Sequence, residues 1–347
     1  MSNILILGAG MMGSAMSLPA SDNNNSVRIM GTPLDDAIIS HARLTNTHLT
    51  MKRPLPQGID FEMFSEAGLD GALAWADMLI CGVSSFGVDW FGETVVPRVP
   101  DKLPILSVTK GLLDNNDGTL TPFPRVWANR TEKPLSFNAI GGPCTSYELA
   151  DRRHSSVVFC GDDITILKML KSALETDYYH ISLSTDVMGV ECAVALKNAF
   201  ALAVTLTVGM TELTDGEGCT LAYNPQAALF GQCVREMSRV LELVGAPQTN
   251  LVYGVGDLYV TIYGGRTRLL GTLLGRGLTF DEAIKRLDGV TLESVVIAKR
   301  VAHAIRLMAE AGTADLTAFP LLMHVDALLN GAVNLPIPWR ALETETL

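Results

Sequence analysis

Residues 4 to 13 read Ile4-Leu5-Ile6-Leu7-Gly8-Ala9-Gly10-Met11-Met12-Gly13, and helix-compatible residues follow from Ser14 to Leu18. Four apolar residues predict a buried strand, and the GxGxxG spacing predicts a tight turn into a helix N-terminus. Gly8 permits the sharp turn, Gly10 removes the side chain that would block a pyrophosphate, and Gly13 lets the helix lie close on the strand. Backbone N–H groups at the helix start then face phosphate. The alternative is a glycine-rich turn in an ordinary βαβ unit; the helices and strands that alternate downstream favour dinucleotide binding.

The 347 residues suffice for about two domains with substantial cores. A hydrophobic fraction of 48% with 18% charged residues fits a compact globule, and the net charge of −11 argues against a nucleic-acid surface. The first twenty residues lack a basic n-region, and three glycines interrupt the apolar run, so they read as mature protein. Val190 to Met210 is nearly all apolar, but Glu191, Lys197 and Asn198 interrupt it, which predicts a buried helix and no membrane insertion. Six cysteines without CxxC spacing fit reduced thiols in a cytoplasmic protein, with no metal site. The scattered histidines suggest no role.

Val27 to Met30 is the second expected strand. An NAD-selective protein carries a ribose-binding acid at its end; here that place holds Gly31 and Thr32, and Asp35 and Asp36 are expected to face a helix start and water. Further strands are expected at residues 76–83, 104–108, 136–140, 157–160 and 178–182, with helices from about Phe86 and Ile164. Lys110 follows the strand 104–108, at the carboxyl end where doubly wound sheets place ligands. From Thr185 the βαβ alternation stops and helical periodicity takes over, capped by Thr185 or Asp186. Helices are expected at 227–244, 269–274, 280–287, 292–311 and 321–329. The fold is therefore read as α/β: a doubly wound dinucleotide-binding domain over residues 1–184, then a mainly α-helical substrate domain over 185–347, with the active site in the cleft between them.

Four polar positions could carry chemistry. Lys197 shares a helix side with Ala193, Val194, Phe200 and Ala201, so it is either a partly desolvated proton-transfer group or a lysine that snorkels from a helix edge. Lys110 either attracts an anion or lies in a solvated loop. Asp257, in Val255-Gly256-Asp257-Leu258, is either a carboxylate carried into the interior or a helix cap. Arg266 and Arg268 follow Gly264-Gly265, and a guanidinium behind a glycine turn can grip two phosphate oxygens.

Together these features resemble the soluble, two-domain NAD(P)-dependent glycerol-3-phosphate dehydrogenases over almost the whole chain. The resemblance rests on the residue 8–13 turn, Thr109-Lys110-Gly111-Leu112, Gly142-Pro143 with Glu148, Gly189-Val190-Glu191 leading to Ala195-Leu196-Lys197-Asn198, Gly254 to Leu258 with Thr261, and Gly271 to Gly277. It implies that Lys197 is the general acid/base, with Lys110 and Asp257 completing the polar site. Substrate contacts would come from Lys110, Gly142, Lys197, Asn198, Asp257, Arg266 and Thr267. Nucleotide contacts would fall on Gly8, Gly10, Met11, Met12, Gly13, Thr32, Lys110, Ser146, Arg266 and Glu293. The cofactor would be NAD or NADP; Gly31 and Thr32 in place of the ribose-binding acid predict that NADPH is accepted at least as readily as NADH, with Arg43 as a partner for the extra phosphate. The partner would be a small phosphorylated substrate, and a homodimer is compatible with the reading. Departures surround the substrate: Gly265-Arg266-Thr267-Arg268 stands where the family usually reads Ser-Arg-Asn-Arg, on a loop about two residues shorter than in many bacterial members. Gly141-Gly142-Pro143 replaces Ser-Gly-Pro, and Cys144-Thr145-Ser146 replaces a small residue. Another phosphopolyol dehydrogenase, or a non-catalytic dinucleotide sensor, are the rival readings.

Overall fold

A computed structural model of the chain describes residues 1–288 and 292–343. Its contacts group the residues into two compact units, one of residues 1–110 and 122–191, the other of residues 111–121 and those from Cys192 onward. The strands in chain order are β1 (Asn3–Leu7), β2 (Ser26–Met30), β3 (Asp60–Glu62), β4 (Met78–Cys81), β5 (Ile105–Ser107), β6 (Leu112–Asp114), β7 (Leu120–Pro122), β8 (Phe137–Gly141), β9 (Ser155–Cys160) and β10 (Tyr179–Ser184).

The first unit is built on one sheet in the order β10-β9-β8-β5-β4-β1-β2-β3. Its central strands are buried on both faces: every residue of β4 and β5 is buried, as is all of β1 after Asn3. Runs of Ile, Leu and Met serve there because a parallel strand covered on both sides has no solvent face to alternate with. Pairing is parallel from β8 through β3, with Ile6 opposite both Ile29 and Ile80. β9 runs antiparallel to β8, and β10 is parallel to β9. The chain leaves β1 towards β2 and β3 and then returns to the other side of β1 as β4. That reversal puts the topological switch point at the carboxyl ends of β1 and β4, next to Gly8 and Gly82.

The second unit contains the long helix Val187–Asp215, which starts in the first unit and continues into the second. Asp186 Oδ1 caps it by accepting from the Gly189 N–H at 2.8 Å. Although long and apolar enough to cross a membrane, 83% of its most apolar window is buried inside the protein. Helices Tyr223–Leu243, Leu251–Thr261, Gly265–Gly275, Phe280–Arg286, Glu293–Glu310 and Pro320–Leu329 follow. Close approach explains several glycines. A Cβ on Gly254 would lie 2.5 Å from the Ala193 carbonyl oxygen, one on Gly209 2.0 Å from that of Thr272, and one on Gly275 2.0 Å from that of Leu206. The helix Val187–Asp215 therefore touches its neighbours backbone to backbone.

Three elements depart from the sequence expectation. Helix Leu251–Thr261 has no counterpart in it, because Gly254 and Gly256 read locally as a break. The hairpin β6–β7 belongs to the second unit, where the Arg300 Nη1 donates to the Leu112 carbonyl at 2.8 Å and His303 Nδ1 pairs with Asp114 Oδ2 at 2.5 Å. The expected helix from Phe86 is an irregular run of short 3₁₀, α and π turns between Ser85 and Arg98.

Candidate functional site

The glycine turn between β1 and the helix Met11–Ala15 is constrained at two of its three glycines. Gly8 has φ +105, and a Cβ there would sit 2.7 Å from the Gly82 carbonyl carbon; a Cβ on Gly13 would sit 2.4 Å from the Gly8 carbonyl oxygen. Gly10 is different. Its Cβ would meet no protein atom nearer than the Gly82 oxygen at 3.8 Å, so the protein's own packing does not require glycine at that position. The space lies where the first N–H groups of Met11, Met12 and Gly13 lack intrahelical acceptors. This room beside unsatisfied donors fits a dinucleotide pyrophosphate.

The peptide group of Ala9 is held from both sides. Its N–H donates to Asp35 Oδ2 at 3.1 Å, and the same oxygen accepts from the Thr32 N–H and Oγ1, each at 2.8 Å. On the other side, buried His48 accepts at Nδ1 from the Met51 and Thr50 N–H groups at 3.0 and 3.3 Å, which leaves Nε2 to donate to the Ala9 carbonyl at 2.9 Å. Burial pushes the His48 imidazole below its usual range, which maintains that neutral tautomer. Asp35 thus corrects the expectation that it faces water. A Cβ on Gly31 would sit 3.1 Å from Asp35 Cβ, so the missing side chain at the end of β2 is the room into which the Asp35 side chain folds. Asp36 is exposed as expected, and Arg43 donates through Nε to the Phe61 carbonyl at 2.7 Å.

Lys110 leaves the end of β5, half-buried, and its Nζ donates to the Gly142 carbonyl at 3.1 Å. Gly142 has φ +107, a conformation that favours glycine, and so turns its carbonyl to the lysine after β8. Ser146 begins the short helix Ser146–Ala150 behind its Thr145 cap and is buried.

In the second unit Lys197 Nζ meets Asp257 Oδ1 at 2.5 Å, linking helix Val187–Asp215 to helix Leu251–Thr261. The Asp257 side chain is 1% exposed and that of Lys197 15%. Asp257 is therefore an interior carboxylate and not a cap, and the Lys197 side chain is mostly covered, with its Nζ held by that carboxylate. Asn198, the next residue, is half-buried. Arg266, Thr267 and Arg268 lie in the first turn of helix Gly265–Gly275 and not in a loop ahead of residue 269. Gly265, at φ +77, starts that turn. Arg266 is exposed, whereas Arg268 Nη1 donates to the Ile262 carbonyl at 2.8 Å, closing the end of the preceding helix. The two arginines therefore have different tasks, and Arg268 does not merely face solvent. Glu293 opens the helix Glu293–Glu310.

Two residues that sequence reasoning left without a role emerge here, Asp35 and His48. They could not be recognised because their contacts depend on chain that returns to the glycine turn from elsewhere.

Models of NAD-dependent glycerol-3-phosphate dehydrogenase match twice, the N-terminal one over residues 3–166 and the C-terminal one over residues 186–336. The chain is 33% identical to an NADP(+)-dependent glycerol-3-phosphate dehydrogenase of Archaeoglobus fulgidus, over 82% of this chain and 83% of that protein. It is 29% identical to a glycerol-3-phosphate dehydrogenase [NAD(P)+] of Halorhodospira halophila, over 99% and 97%. The fold matches that of a glycerol-3-phosphate dehydrogenase from Coxiella burnetii at a TM-score of 0.79 and 22% identity, covering 98% of this chain and 97% of that one.

Proposed function

The chain belongs to the NAD-dependent glycerol-3-phosphate dehydrogenase family, and from that premise we propose that Lys197 is its general acid/base, with Asp257 and Lys110 as its polar partners. The protein is an oxidoreductase that interconverts sn-glycerol 3-phosphate and dihydroxyacetone phosphate with NAD or NADP. The observation that carries the assignment of roles is the ion pair between Lys197 and the fully buried Asp257.

The nucleotide would be held at the turn that Gly8 shapes, through the backbone N–H groups of Gly10, Met11, Met12 and Gly13, while the Gly8 N–H itself donates to the Met30 carbonyl at 2.8 Å; Thr32, Lys110, Ser146, Arg266 and Glu293 would be further contacts. When bound and reduced, the nicotinamide supplies the hydride. Lys197 Nζ gives a proton to the oxygen of the carbonyl being reduced, and Asp257 fixes the ammonium and keeps its protons directed. Lys110 places positive charge where the oxygen becomes negative, worth several kcal/mol in a water-poor site. Asn198 and the Gly142 turn orient the substrate. Arg266, at the start of helix Gly265–Gly275, binds the phosphate through its guanidinium fork, so binding energy remote from the reacting carbon fixes orientation.

Thr267 and the Gly141 to Ser146 segment favour a second reading, a dehydrogenase for a longer phosphorylated polyol. Oxidation rates of NADH and NADPH with dihydroxyacetone phosphate beside longer ketose phosphates test both. Dihydroxyacetone phosphate as the best substrate supports the first reading, and a longer ketose phosphate as the best substrate replaces it. A cytoplasmic location fits the buried thiols Cys81, Cys160 and Cys233, and membrane insertion is not needed to account for a helix already covered by protein.

A further inference from the structure

The second unit contains a cavity of about 300 Å³, walled by helices Val187–Asp215, Gly265–Gly275 and Pro320–Leu329 and by residues 334–337. Its buried lining is apolar: Leu206, Leu274, Leu328 and Ile337 are each at most 5% exposed. The walls cannot close on it. A Cβ on Gly275 would lie 2.0 Å from the Leu206 carbonyl oxygen, and one on Gly277, at φ +82, would lie 2.8 Å from Asn334 Oδ1. The backbones beside the cavity are thus already in contact, and the space is not slack that tighter packing could remove. His324 is the one lining residue that is acidic or basic. It is 5% exposed, and neither ring nitrogen has a hydrogen-bond partner among the described residues. Burial alone pushes its imidazole down to about 4, with no charged neighbour acting on it. At neutral pH one ring nitrogen therefore donates and the other accepts. Buried polar groups are normally paired, and the space beside His324 is where its partner would sit. Arg276, next to the lining glycines, is engaged by Glu212 and Glu217 at 2.8 Å each.

We propose that this cavity is a binding site for an uncharged, mostly apolar small molecule with one hydroxyl or N–H group, which His324 holds by a hydrogen bond. An apolar cavity of roughly 150 Å³ accepts one benzene, so the space suits a molecule of about two fused rings. Ligand sites combine an apolar lining with a few polar groups in this way. A carboxylate or phosphate would lose its hydration here and meet no cation in the lining. A hydrocarbon would fit the walls and leave His324 unpaired. Entry is past Leu213, which lines the cavity and is 62% exposed. Leu206 lies nine residues beyond Lys197 on the same helix, about 14 Å along its axis, so the site is separate from the proton-transfer lysine. The proposal does not depend on the dehydrogenase assignment.

The test is titration of the full chain with three probes on one carbon frame, 2-naphthol, naphthalene and 2-naphthoate, read by calorimetry and by the resonance of an isotope-labelled Met210 methyl, which lines the cavity. 2-Naphthol should bind one to one and shift Met210. Naphthalene should bind about three- to tenfold more weakly, the scale of one hydrogen bond, and 2-naphthoate at least about tenfold more weakly. His324→Phe should abolish the preference for 2-naphthol over naphthalene. Leu213→Trp changes an exposed position, so it spares folding, and by narrowing the entrance it should weaken all binding. Absence of one-to-one binding by 2-naphthol overturns the proposal, as does 2-naphthoate binding equally well. Binding that leaves Met210 unmoved, or that is unchanged in Leu213→Trp, belongs elsewhere on the protein and also overturns it. If affinity for 2-naphthol falls as the protein is concentrated and a larger species sediments, a second copy of the chain covers the cavity, and that reading replaces the small molecule.

Discussion

Lys197 and Asp257 form a pair in which each side chain depends on the other, so their substitutions should not be equivalent. Lys197→Ala removes the proton donor and should lower kcat by roughly a hundredfold or more while nucleotide binding persists; near-normal turnover would take Lys197 out of the mechanism. It also leaves the buried Asp257 carboxylate without its ammonium, so a loss of thermal stability should accompany the loss of rate. The two arginines separate in the same manner. Arg266→Lys keeps the charge and loses the fork, so KM for the phosphorylated substrate should rise and cofactor KM move with it. Arg268→Met should instead cost about 1 kcal/mol of stability, through the lost bond to the Ile262 carbonyl, with KM little changed. If Arg268→Met raised KM and Arg266→Lys did not, the assignments would have to be exchanged. Asp35→Ala should raise KM for NADH and NADPH by similar factors, because the carboxylate braces the Ala9 N–H instead of selecting between riboses; a change confined to one nucleotide would make Asp35 a selectivity residue.

The glycine turn offers a cleaner separation, because its three glycines are required for different reasons. Gly13→Ala forces a Cβ to within 2.4 Å of the Gly8 oxygen and should destabilise the protein by about 1–3 kcal/mol through overpacking. Gly10→Ala makes only an ordinary contact with the Gly82 oxygen at 3.8 Å, so stability should change by no more than about 0.5 kcal/mol while nucleotide affinity falls at least about tenfold, or 1.4 kcal/mol. An unstable Gly10→Ala that binds normally would show that the space serves folding. This turn was legible in the sequence because spacing alone specifies it, and the buried strands were legible because parallel strands are written as continuous apolar runs. The hairpin β6–β7 was not, since its strands are three residues each and its turn, Asn115 to Gly118, reads as loop. Helix Leu251–Thr261, and with it the orientation of Asp257, was hidden by Gly254 and Gly256, the first of which serves the close approach to Ala193. The folding of Asp35 over Gly31 was hidden because it depends on the absence of a side chain at one residue making room for another.

Across the protein, two buried carboxyls make stability depend on pH in an unusual direction. Burial pushes Glu191 up to about 8, and it pushes Glu236 up to about 7 against hydrogen bonds from Gln232 and from the Leu321 and Leu322 N–H groups. Folded chains therefore keep protons that unfolded chains have lost, and the slope of stability with pH is negative between the two titrations. The contribution is complete below about pH 4.5, the ordinary glutamate value, and disappears as pH rises through 7 and 8. Thermal midpoints should fall between about pH 6 and pH 9, and the fall should be smaller in Glu191→Gln; equal slopes would mean that Glu191 has access to water or to a partner in solution.

The helix Val187–Asp215 carries Glu191, Lys197 and the close-packed Gly209 along one continuous element. Each added residue turns an α-helix by about 100°. A single insertion between Lys197 and Gly209 would leave the lysine in place and swing every later contact, including the Gly209 approach to the Thr272 oxygen, a quarter-turn or more out of line. What descent can alter in this helix is therefore spelling and not length: substitutions on its outer positions can accumulate, whereas insertions and deletions inside it should be purged, making the distance from residue 197 to residue 209 a fixed ruler among functional descendants of the chain.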